Sequence, residues 1–188
     1  MLAILVAASV GLGCAPYTFD SPHRATQDPI SSAGDHLIAL DLRSNHGDAT
    51  DTRIGDYGRR DIILAPGHDA WLKSGLRSEY RRAGFHVTDD TETAPVTVEV
   101  EVVQVFTERA SGCAPMVDCV GAVAIFDVTI VEPSTGDRFQ RRFAGTSSST
   151  TMSTSPDDLE SELRSALTNA YGEIVTETYD LLSSPPGT

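Results

Sequence analysis

Apolar and polar residues alternate most cleanly between Val96 and Val102, where four valines are separated by Thr97, Glu99 and Glu101. A two-residue period places the valines on one face of a strand and the polar side chains on the other. The phase slips at Val103 and Val105, which predicts a bulge within a strand over 96–106. A second long strand is expected over 120–131, with Phe126, Val128 and Ile130 on one face. Pro133-Ser134-Thr135-Gly136-Asp137 has turn composition. A third strand follows over 138–146, with Phe139 and Phe143 opposite Arg138, Gln140 and Arg142. Together these predict an antiparallel meander with one solvated face. Shorter strand-like runs stand at 36–42, 61–64 and 85–88, and residues 43–60 read as a long loop.

Two segments change to helical period. Leu72, Leu76, Tyr80 and Ala83 recur at spacings of three and four, with Trp71 widening the stripe. Gly84 is placed to close that helix in the left-handed conformation. The second helix has an N-terminal signature: Ser155 as cap, Pro156 in the first turn, and Asp157 and Asp158 at the positive end of the helix dipole. Leu159, Leu163, Ala166, Leu167, Ala170, Ile174 and Thr178 share one face. The Ser/Thr-rich stretch 146–154 reads as a loop or a polar strand end. Two amphipathic helices and a sheet each have one face to bury. The expected fold class is therefore α+β: a two-layer sandwich, mainly antiparallel, with both helices packed on one face of the sheet.

The N-terminus follows a different rule. Residues 1–13 form an apolar run too short for a bilayer-spanning anchor but suited to the core of a signal peptide. Gly11-Leu12-Gly13-Cys14 resembles the lipobox of bacterial lipoproteins, with Gly11 where Leu is usual. The resemblance implies that Cys14 carries the lipid. Residues 14–34, rich in Pro, Ser, Asp and Gly, read as a flexible tether. The domain organisation expected is a signal peptide over 1–13, that tether, one domain over 35–182 and a tail over 183–188.

The formal net charge of −13 narrows the partners. A strongly acidic surface repels phosphates, which argues against nucleic acid and against anionic head groups. The densest basic run, Arg77, Arg81 and Arg82, reads as a solvated helix face. Cys113 and Cys119 flank a hairpin loop and, in an oxidising compartment, read as a disulfide. A zinc or redox role would call for tighter cysteine spacing and further ligands. His23, His36, His46, His68 and His86 show no metal-ligand spacing, and no cofactor motif occurs. Asp41 and Arg43, two apart on a strand, project to one face as an ion pair or a polar binding handle.

The order of elements resembles the YajG-like family of bacterial lipoproteins. Asp41-Leu42-Arg43 at the end of the first strand, Gly84-Phe85 after the first helix, the valine strand and Ala166-Leu167 in the last helix carry the likeness. The resemblance implies an α+β envelope lipoprotein without catalytic residues; the residues themselves suggest neither cofactor nor metal. The function expected is that of a non-enzymatic lipoprotein anchored in the outer membrane and facing the periplasm. It would bind an envelope protein or lipid. An auxiliary role in lipid or lipopolysaccharide transport, with acyl chains held between helices and sheet, is the alternative. A hydrolase using the Ser/Thr stretch would require a histidine beside it.

Overall fold

In the computed structural model the described residues are 15–26, 28–30, 32–44, 53–58, 60–65, 67–114, 117–132 and 135–184, with only the backbone for 110–114. The strands are β1 (Tyr17–Phe19), β2 (Leu37–Ser44), β3 (Arg53–Tyr57), β4 (Arg60–Leu64), β5 (His86–Thr88), β6 (Val96–Ala114), β7 (Val117–Glu132) and β8 (Asp137–Thr151). The helices are α1 (His68–Ala83), between β4 and β5, and α2 (Pro156–Ser183), after β8.

The valine strand organises the sheet. Along one edge β6 pairs antiparallel with β7, which pairs antiparallel with β8. Along its other edge β6 is shared: Val96–Val102 pair with β2, and Thr107 pairs with Gly55 of β3. The expected slip at Val103 is present as a register shift between Val102 and Gln104. It keeps Val105 and Thr107 buried beyond the bulge.

The sheet is mixed rather than a plain meander. Pairs β1/β4, β2/β5, β2/β6 and β3/β6 are parallel, while β3/β4, β6/β7 and β7/β8 are antiparallel. The reason is the route from β2 to β6. It passes through α1, and a helical crossover returns the chain in the same direction. The presumed loop over 43–60 contains β3 and most of the turn into β4. Gly58, with φ of 70°, supplies the left-handed residue there.

Burial follows the predicted phase. Ile38, Leu40 and Leu42 of β2, the even-numbered valines of β6, and Ala124, Phe126 and Val128 of β7 are all buried. Against them pack Trp71, Leu72, Leu76 and Tyr80 of α1 and Leu163, Leu167, Tyr171 and Ile174 of α2. The two helices meet through buried hydroxyls. Tyr80 Oη donates to Thr178 Oγ1 at 2.8 Å, since that oxygen's own proton goes to the Ile174 carbonyl. Tyr171 Oη donates to the Leu72 carbonyl at 3.1 Å.

Both helix ends match their sequence signals. Gly84 closes α1 with φ of 114°. Ser155 and Asp158 form a reciprocal capping box at the start of α2, with Pro156 in the first turn. The Ser/Thr stretch is the end of β8: Ser147, Ser148 and Ser149 pair with Ala122, Gly121 and Val120.

The expected tether is not one over its described residues. Tyr17–Phe19 form β1 on the edge of β4, and Phe19 is buried. His23 is 3% exposed, Ala33 is fully buried, and Ile30 N donates to the Ala83 carbonyl. A segment poor in periodicity docks here through individual side chains. The signal-peptide run, Cys14 and residues 185–188 lie outside the described residues.

A charged sheet face and its neighbours

The helix-free positions of four strands line up in two rows. Asp41 of β2 stands opposite Glu99 of β6, Glu99 opposite Thr129 of β7, and Thr129 opposite Gln140 of β8. One step along, Arg43, Glu101, Asp127 and Arg142 are aligned in the same way. The polar alternation of each strand therefore becomes a charged surface. All of these residues except Arg142 line an open cleft of about 390 Å3.

Like charges directly opposite each other repel across a sheet. Here Asp41 faces Glu99, and Glu101 faces Asp127. Arginines offset the repulsion. Arg43 pairs with Asp41, and Arg138 Nη2 reaches Glu99 Oε2 at 3.1 Å. Arg142 grips Asp127 with two bonds of 2.7 and 2.6 Å. The Arg142 bond holds the Asp127 carboxyl below the ordinary carboxylate range, against the small opposing effect of burial. Asp41 accepts a hydrogen bond from Arg43 and raises its pKa, first through that bond and then through charge. Glu101 attracts Arg142 only at longer range.

Asp41 and Arg43 thus form the expected pair. The sequence did not show that Glu99, Glu101, Asp127, Thr129, Gln140 and Arg142 join them. Their one legible signal was the odd–even alternation of each strand. Row alignment depends on register, which a single strand does not reveal.

Beside this face, Ser44, His68 and Asp69 cluster. Ser44 Oγ lies 3.1 Å from His68 Nδ1 and also donates to Asp69 Oδ1. His68 Nδ1 is also 3.1 Å from Asp69 Oδ1. A nucleophile relay needs serine and carboxylate on opposite imidazole nitrogens. Here both meet Nδ1, so the cluster anchors the start of α1 to the end of β2. Burial works to raise the Asp69 carboxyl, but hydrogen bonds from Ser44 and His68 outweigh it and its pKa is lowered.

His23 is one of five histidines scattered along the sequence. Its Nε2 lies 2.6 Å from Glu79 Oε1 of α1, and both side chains are buried. Thr26 N donates to both Glu79 oxygens at 3.0 Å. No sequence spacing announced this contact.

The Ser/Thr stretch meets carboxylates and backbone. Ser147 Oγ donates to Glu162 Oε2 at 2.5 Å, Thr154 donates to Asp118, and Tyr57 Oη donates to the Thr154 carbonyl. The described histidines make their contacts elsewhere, with Glu79, Phe85, Tyr179, Ser44 and Asp69. Cys119 lies in β7 opposite Ala110, and Ala114 pairs with Val117 at the hairpin end. The Cys113 side chain lies outside the described residues. Among the described residues no group of three His, Cys, Asp or Glu is placed to hold a metal ion, and no helix is long and apolar enough to cross a membrane.

No protein-family model and no curated protein matches the chain. Among solved structures, the chain is similar to protein XCC0632 from Xanthomonas campestris, of family DUF330. The TM-score is 0.63 at 14% identity, covering 88% of this chain and 99% of that one. An uncharacterised protein matches with a TM-score of 0.51 at 13% identity, covering 87% of this chain and 100% of that one. A minor lipoprotein from Acinetobacter baumannii reaches only 0.43 at 12% identity, covering 84% and 100%. At these identities the likeness is one of fold. What the comparisons establish is that this chain shares the α+β fold of the DUF330 protein over almost the whole length of that structure.

Proposed function

We propose that this chain is a lipoprotein of the bacterial envelope, anchored through Cys14 and acting by binding rather than catalysis. The reading takes Cys14 as the lipid-bearing residue and residues 1–13 as the removed signal. It places the protein in the outer membrane, facing the periplasm, and keeps the YajG-like resemblance as its lineage. We read the helices and sheet as a two-layer sandwich whose open layer is the working surface.

The observation that carries the binding role is the pair of aligned rows on the sheet. Four carboxylates and two arginines in these rows, with Arg138 reaching Glu99, form a pattern that a protein partner of complementary charge can match. Such complementarity governs specificity and association rate more than raw affinity. No substrate-sized enclosure is needed for this.

Two experiments test the two halves. Mass spectrometry of the mature N-terminus should find Cys14 as the first residue, carrying acyl chains; an intact 1–13 segment with a bare thiol overturns the anchor. Crosslinking in intact envelopes should capture one recurrent partner, with capture lost in Glu99→Arg/Asp127→Arg. Capture that survives this reversal moves the contact off the sheet face.

The lipid-carrier reading has one supporting observation. Leu37, Val96, Ile130, Phe139, Leu181 and Leu182 supply the apolar half of the lining of a cleft of about 740 Å3 at the end of α2, which Asp35, Glu132, Asp137 and Arg138 also line. The space between helices and sheet, where acyl chains were expected, is instead occupied by Trp71, Tyr80, Phe126 and Tyr171, all fully buried. A lipid would therefore lie at the end of the sandwich and not inside it.

A further inference from the structure

We infer that Arg24, Arg81 and Arg82 form a contact surface for an anionic lipid bilayer. This rests on the anchored reading above and adds the face that the domain turns toward the membrane.

The chain segment after β1 crosses α1 at Gly75, where an added Cβ would lie 3.0 Å from His23 Cβ. The buried His23–Glu79 contact fixes the crossing. Arg24, the next residue, is thereby held beside the last turns of α1. Together with Ser74, Ser78, Arg81 and Arg82 it lines an open cleft of about 770 Å3. Sequence alone placed Arg81 and Arg82 on a solvated helix face and gave Arg24 no company. Three exposed arginines line one cleft in a chain whose net charge is −13. Two serine hydroxyls add neutral donors, a combination suited to phosphate oxygens.

Position supports the assignment. Tyr17 is fixed in β1, and Cys14 is three residues before it. Three residues span at most about 10 Å, and Ser21 is at most about 14 Å further along. A lipid on Cys14 would thus hold the arginine cleft within about 25 Å of its own attachment point. Anionic head groups repel carboxylates and attract arginines, which favours turning this face inward.

The test uses the full chain with Cys14→Ser, so that acyl chains contribute nothing. Its co-sedimentation is measured with phosphatidylcholine vesicles, with and without phosphatidylglycerol. Binding should require phosphatidylglycerol and disappear in high salt. Each arginine removed should weaken it about fivefold. The triple variant Arg24→Gln/Arg81→Gln/Arg82→Gln should therefore fall to background, while the corresponding triple Lys variant retains binding. A charge-matched control, Arg53→Gln/Arg60→Gln/Arg109→Gln, should bind as the parent does. Thermal melts establish that each variant is folded. Equal loss in both Gln triples would reduce the effect to net charge and overturn the assignment, as would binding indifferent to phosphatidylglycerol. The anchor is judged separately by N-terminal mass, so an unlipidated Cys14 with intact vesicle binding sinks only the anchor.

Discussion

His23 Nε2 and Glu79 Oε1 lie 2.6 Å apart across a separation of 56 residues, both sealed from solvent. The Glu79 carboxylate also receives Thr26 N, so it is an acceptor on several sides. The ring nitrogen that faces the carboxylate is Nε2, and Nδ1 has no hydrogen-bond partner among the described residues.

His23→Ala removes the donor and leaves Glu79 desolvated. Breaking a buried pair costs about 3–5 kcal/mol, so urea unfolding should show a loss of that order. Trypsin should also cut at Arg24 much faster in the variant. Unchanged stability with unchanged cleavage would mean that residues 21–26 are not docked.

Gly145 is where α2 lies on β8. A Cβ there would sit 1.9 Å from the Ala166 carbonyl oxygen and 2.7 Å from Ala170 N, both backbone atoms that cannot rotate away. Gly145→Ala should destabilise by about 3 kcal/mol or more, at the upper end of overpacking effects. Gly136, with open space around it but φ of 78°, should respond through backbone strain alone, by about 1 kcal/mol. Chemical denaturation of both variants ranks the two effects.

Tyr80 and Tyr171 set the alkaline limit. Burial raises both phenols well above their ordinary value, with Thr178 opposing in the first case and Glu79 reinforcing in the second. A raised acid is held neutral by the fold. Its contribution is complete below about pH 10, where an unfolded tyrosine titrates, and is lost as pH rises further. Phenolate absorbance should therefore appear together with loss of helical circular dichroism. Separate midpoints, with the phenols ionising in a folded chain, would contradict the buried hydroxyl contacts.

Asp41→Ala and Arg43→Ala probe the sheet face. Arg43 is 79% exposed, so solvent screens the pair and each change should leave stability nearly unaltered. Partner capture by crosslinking should nevertheless fall in both. Normal capture in both variants would remove this pair from the contact.

Cys113 and Cys119 sit in the two arms of the β6–β7 hairpin. A bond between them would close a seven-residue loop, worth about 2.4 kcal/mol of unfolded-state entropy. In chain carrying Cys14→Ser, adding reductant should lower the melting temperature to that of Cys119→Ser. No difference between oxidised and reduced protein would refute the bond.

The elements themselves were legible because their signals are local. Ser155, Pro156 and Asp158 start α2, Gly84 ends α1, and the slip at Val103 marks the bulge, each through backbone geometry or period within a few residues. The short strands β1 and β3 carried no such signal. Tyr17–Phe19 and Arg53–Tyr57 are strands because an edge was available for them, a tertiary fact.

From its amino acids alone, this chain determined two amphipathic helices, a long alternating meander, an acidic surface and the Cys14 pattern, since period, charge and caps are read residue by residue. Tertiary structure decided the rest. It chose parallel partners for β2, brought Asp41 into line with Glu99 and Arg43 into line with Glu101, Asp127 and Arg142, and locked His23 onto Glu79. Those outcomes depend on register and on contacts between segments far apart in sequence, where each partner has no preference until the other arrives.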